Sequence, residues 1–196
     1  MKKTFIILAT TLICSFTMAQ DFKKNITTAQ NSYKAGELQD AHFALLQMMQ
    51  DLDITIGKEV LKLFPANMDS LQAVPKEENV FGSNQFAGVT IEKKYGLHAK
   101  KGELSIVINS PVLNTINTYI NSPMMAGFSS DPNTKIVKVG NYKAKLMKDN
   151  DDQSTYTLEI PLSNALLTLK ISNSSENELM SMASTIPIAK MASLVQ

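Results

Sequence analysis

The chain has 196 residues, with 19 basic against 18 acidic side chains and 44% hydrophobic residues. Every basic residue is lysine, and there is no arginine and no tryptophan. A near-neutral chain without guanidinium forks is poorly equipped to read phosphate or guanine, so nucleic acid is not an expected partner.

The N-terminus comes first in chain order. Lys2 and Lys3 precede an apolar run over residues 5–14, and Thr17-Met18-Ala19 places small residues where a signal peptidase reads. This pattern predicts a secretory signal peptide over residues 1–19, cleaved between Ala19 and Gln20. The run is too short to span a bilayer, and no later stretch approaches the ~20 apolar residues that a membrane helix needs. The mature chain is therefore expected to lack a transmembrane segment and to be soluble, periplasmic or secreted. Cys14 is preceded by bulky Ile13, which argues against lipid attachment there. Cys14 is also the only cysteine, so the remaining 177 residues hold no disulfide and must rely on a packed core.

Residues 20–64 read as a helical hairpin. A first helix is expected over 22–34, a turn at Ala35-Gly36, and a long helix over 37–64. Leu38, Ala41, Leu45, Met49, Leu52, Ile56, Val60 and Leu63 recur at steps of three and four, which makes one apolar stripe. Gly57 is a candidate bend, and Pro65 ends the helix. Tyr33, Gly36 and Ala41 within residues 31–41 resemble the turn between the two helices of a tetratricopeptide repeat. The resemblance covers about twenty residues and implies a helical hairpin, with the glycine for the turn and the alanine for close helix contact. No second copy follows, and repeat arrays need about three units.

Residues 65–79 carry a proline near each end and few apolar side chains, and read as a connector. Residues 80–196 alternate. Strands are expected over 89–91, 104–108, 135–139, 142–146, 156–160 and 166–171, with Gly140-Asn141 as a two-residue hairpin turn. Ser110-Pro111 should open a short helix through Ile120. Ser175 and Glu178 form a capping-box pattern opening a helix to about Thr185, and Pro187 interrupts it before a last turn or two. The fold class is α+β, a helical hairpin followed by a mainly antiparallel sheet covered by helices in two layers.

Few residues suggest chemistry. His42 and His98 share no metal-ligand spacing, and without cysteine no metal site is expected. His42 falls at the edge of the apolar stripe and reads as a partly buried packing residue; His98 reads as a loop residue. Asp149-Asn150-Asp151-Asp152 lacks the glycine and the distal glutamate of a helical calcium loop. No nucleophile elbow or phosphate-binding glycine loop occurs, so neither an enzyme nor a cofactor is expected. Nine methionines follow Ala19. Met124, Met125 and Phe128, with Met49 and His42, are the candidate residues of a ligand or partner surface, because methionine suits adaptable apolar contacts. The expected function is that of an exported, non-catalytic accessory or binding protein of the envelope, with an unidentified envelope protein as partner. The alternatives are a carrier of a small apolar ligand and a hydrolase.

Overall fold

The computed structural model describes residues 16–82, 88–97, 99–110, 112–122, 131–152 and 154–195. The apolar run of the signal, His98, Met124, Met125 and Phe128 lie outside the described residues. The chain divides into two compact units, with the boundary between Leu52 and Asp53.

The first unit contains α1 (Phe16–Ala35) and the first part of α2 (Leu38–Leu61). The backbone at Ala19 and Gln20 lies within α1. Gly36 ends α1 at φ +80°, a region that glycine enters without strain. Its N–H donates to the Tyr33 carbonyl at 3.2 Å, and the Glu37 N–H donates to the Ser32 carbonyl at 2.9 Å. These two bonds make a Schellman motif, which satisfies carbonyls that the helix end would otherwise strand. The side chains lost from solvent are small and lie at matched distances from the turn: Ser32 and Ala41 nearest it, Ala29 and Ala44 one helical turn further out.

The second unit is built on one antiparallel sheet of eight strands in the order β1-β2-β3-β4-β8-β7-β6-β5. The strands are β1 (Asn67–Met68), β2 (Leu71–Gly82), β3 (Val89–Tyr95), β4 (Gly102–Ile108), β5 (Thr134–Val139), β6 (Tyr142–Lys148), β7 (Tyr156–Pro161) and β8 (Ala165–Ile171). Two four-stranded meanders meet where β4 pairs with β8, from Gly102 opposite Ile171 to Ile108 opposite Ala165. At the β5–β6 hairpin, Val139 faces Tyr142 and Gly140 alone takes a positive φ, +57°, as a type II′ turn requires.

Alternation gives the sheet its inner face. Gly102, Leu104, Ile106 and Ile108 of β4 are buried, as are Ala165, Leu167, Leu169 and Ile171 of β8. Helices α4 (Glu176–Ser184) and α5 (Ile188–Leu194) cover this face with Leu179, Met182, Ala183, Ile188 and Met191. Val60 and Phe64 join the same cluster. Helix α3 (Leu113–Asn121) packs elsewhere. Leu113, Ile116 and Ile120 form a separate cluster with Leu166, a residue out of step with the inner face of β8. So residues 175–195 cover the main core, while the helix expected over 111–120 lies on the other face of the sheet.

Two readings of the sequence change here. Residues 65–79, read as a connector, contain β1 and most of β2. Pro75 does not break the strand, because it sits in an irregular stretch where the register jumps from Ala73↔Tyr95 to Glu78↔Lys93. Five steps along β2 there match two along β3, and a proline without its N–H is tolerated where the ladder is interrupted. Gly57, read as a candidate bend, lies in an unbroken α2. A Cβ there would stand 2.9 Å from Val80 Cγ1 and 3.1 Å from Ile91 Cγ1, so glycine is what lets the helix approach β2 and β3.

Two outcomes follow. Gly57→Ala gains about 1 kcal/mol of helix propensity but forces stiff β-branched neighbours aside, at about 1–3 kcal/mol. The net effect should be a loss of about 1 kcal/mol in chemical denaturation, rather than the stabilisation expected for an exposed helical glycine. Asp53 accepts a hydrogen bond from Asn109 Nδ2 at 2.9 Å, and burial raises its carboxyl above the ordinary 3.8. An acid with a raised folded pKa stabilises the fold as pH falls through that pKa, and its charge opposes folding above it. Asp53→Asn should therefore be more stable than the parent at pH 7. The difference should close as the pH is lowered below about 4, as read by thermal melts across pH.

Candidate functional site

Two surfaces merit description, one in each unit. On α2, Leu38, His42, Leu45, Met49 and Leu52 follow one another at steps of four and three. That 3.5-residue spacing is the seam of a coiled coil over two heptads, with leucine at every d position and His42 and Met49 at a. Leu38 is 63% exposed, Leu45 50%, Met49 59% and Leu52 53%. His42 is also exposed, which corrects its reading as a partly buried packing residue. The reason lies in the geometry near the turn. Ala41 and Ala44 are the residues withdrawn from solvent, which rotates the leucine stripe away from the small-residue seam. His42 and Met49 therefore share one apolar, solvent-facing strip.

The second surface is an open cleft in the sheet unit, with a volume of about 570 Å³. It exists because β2 is irregular. Residues 74–77 leave the regular ladder, with Lys76 at φ +65°, and form an arch that supplies Val74 and Glu77 as one wall. The opposite wall is the β3–β4 turn with Gly96, Leu97 and Lys101. Gly96 has φ +73°, and a Cβ there would meet the Lys100 carbonyl oxygen at 2.4 Å, so the turn accepts only glycine. Lys94 and Tyr95 of β3, Gly102 and Glu103 of β4, and Lys170 and Ser172 at the end of β8 complete the lining.

This turn is tied down from several sides. Ser172 N–H donates to the Lys101 carbonyl at 2.9 Å, and Lys101 N–H donates to Ser172 Oγ at 3.2 Å. Asn173 Nδ2 donates to the Ala99 carbonyl. Lys100 Nζ lies 2.6 Å from Glu178 Oε1, and the same carboxylate accepts the Ser175 N–H at 2.9 Å in the capping box of α4. Those contacts, the lysine foremost, pull the Glu178 carboxyl down to about 2. Across the cleft, Lys94 Nζ lies 3.1 Å from Glu77 Oε2, which raises the lysine pKa. Lys170 acts through space on Asp149 and Asp152. Among the described residues neither Lys101 nor Lys170 forms an ion pair.

The other sequence candidates for chemistry do not converge. Among the described residues no group of histidine and carboxylate side chains could hold a metal ion. Two carboxylates of residues 149–152 are engaged within their own loop: Asp149 Oδ1 accepts the N–H groups of Asp151 and Asp152, and Asp152 accepts from Ser154 and Thr155. Among the described residues no helix is long and apolar enough to cross a membrane. The cleft escaped the sequence reading because its arch lies in the supposed connector; Pro75 and the pair Gly96 and Gly102 were its only local signals.

Comparison with protein-family models, curated proteins and solved structures returned no match.

The Glu178 contacts lead to a stability prediction. A carboxylate with a depressed folded pKa contributes stability that is complete above its unfolded value and lost as pH falls through the folded one. Acid melts should thus lose stability between about pH 4.5 and about 2, and Glu178→Gln should flatten that window. Ser175→Ala should cost about 1 kcal/mol by removing the cap acceptor, as read by chemical denaturation at pH 7.

Proposed function

We propose that this chain is an exported, non-catalytic accessory protein of the envelope that binds a helical segment of another envelope protein along α2. The observation that carries this reading is the exposed strip of Leu38, Leu45, Met49 and Leu52. Fully burying a leucine or methionine is worth about 1.5–3 kcal/mol, so four such side chains left in water represent a large unrealised gain. Their 3.5-residue repeat suits a partner helix, which would lay its own i, i+3, i+4 and i+7 positions into the strip. His42 is a polar group at one a position, the place where a polar residue selects register at some cost in affinity. The carrier alternative called for a closed apolar pocket. Three clefts among the described residues are open, and each of these has lysine in its lining.

The test is photo-crosslinking in the native host, with a photoreactive residue at position 49. A discrete crosslinked polypeptide is expected, and Leu45→Ser with Leu52→Ser should reduce its yield at least tenfold. Crosslinks unaffected by those substitutions, or crosslinks to lipid alone, would overturn the proposal. Intact mass of the exported chain should also show loss of residues 1–19, and Ala19→Lys should block that loss.

A further inference from the structure

The cleft under the β2 arch is independent of the helical strip and has its own chemistry. Its volume of about 570 Å³ falls in the ~300–1,000 Å³ range of small-molecule sites. Its walls combine apolar surface with charge. Leu97 is 65% exposed at the tip of a turn that is otherwise held by hydrogen bonds on both flanks. A large apolar side chain kept in water by an anchored turn is preorganised for contact. Val74 faces the same space from the arch.

The charges narrow the ligand further. Three lysines and two glutamates line the cleft. Lys94 is already matched by Glu77 at 3.1 Å. Glu103 stands between Lys94 and Lys170 in strand register, opposite both. Within the lining that leaves Lys101 and Lys170 against Glu103, an excess of one positive charge; Asp149 and Asp152, which act on Lys170 from outside the lining, accept hydrogen bonds from their own loop. A dianion would exceed the single unmatched positive charge of the lining, and a phosphate would lack the bidentate donor that arginine supplies. A neutral apolar molecule would gain nothing from the ammonium groups.

We propose that this cleft binds a monoanionic amphiphile, a single carboxylate on a hydrocarbon body. Lys101 and Lys170 receive the head group, and Leu97 and Val74 cover the chain. Lysine suits this role because its ammonium is a point charge on a flexible stem and can follow a mobile head group.

The experiment is a titration of the ¹⁵N-labelled mature protein with dodecanoate below its micelle concentration, followed by amide chemical shifts. Saturable shifts are expected at Gly96, Leu97 and Gly102. Lys101→Gln with Lys170→Gln should weaken binding at least tenfold while the spectrum stays dispersed. Dodecanol, which has the same chain without the charge, should bind at least tenfold more weakly. Leu45→Ser with Met49→Ser, on α2, should leave the dodecanoate affinity unchanged, which separates this site from the proposed partner surface. Shifts confined to α1 and α2, equal binding of dodecanol, or affinity within twofold in the double lysine variant would overturn the proposal.

Discussion

The pairing of β4 with β8 is the contact on which the sheet unit depends. Each meander is held by short turns and could form locally, but alone it would leave a hydrophobic edge strand open to any other chain. Pairing β4 to β8 closes both edges at once. It also aligns Leu104, Ile106 and Ile108 with Leu169, Leu167 and Ala165, so the two inner faces merge into one core. The partners are 57 to 69 residues apart in sequence, so this contact carries the main loop-closure cost and should be a late, slow event in folding.

Everything placed on the sheet follows from that register. The inner face is continuous enough to need two helices, α4 and α5, with Val60 and Phe64 beside them. Leu166, displaced by one residue from the inner set, gives α3 a foothold on the opposite face. The remaining outer face is polar, with Glu103 and Lys170 as cross-strand neighbours. The irregularity in β2 raises an arch over one end of that face. The turn after β3 is held against β8 and α4, so the cleft between them has fixed walls.

The sequence was legible wherever one local rule acted alone. Period-two alternation located β3 through β8, Gly140 marked the hairpin turn, and Ser175 with Glu178 marked the start of α4. It was illegible where a tertiary contact overrode the local signal. Pro75 signals a break, yet the arch removes the need for its missing N–H and the strand continues. Gly57 signals weakness, yet it is a position where β2 and β3 side chains leave no room for a Cβ. The apolar stripe on α2 is the most instructive case. Periodicity established that one side of the helix is apolar, but it carries no information about what covers that side. Ala41 and Ala44 took the buried position because small side chains allow closer approach, and His42 and Met49 were left in solvent with the leucines. The turn expected at Ala35-Gly36 is present, and Gly36 ends the helix there at a positive φ.

The central functional claim is that the α2 strip is covered by a partner in the native host. Because the chain after Cys14 contains no cysteine, a single Met49→Cys substitution places a unique thiol on the strip. Its reaction rate with a membrane-permeant thiol reagent would be compared in intact host envelopes and in the purified protein, with Asn141→Cys on the exposed β5–β6 turn as reference. At least tenfold protection of position 49 in the envelope is expected, and none at position 141. Equal reactivity at position 49 in both settings would contradict it.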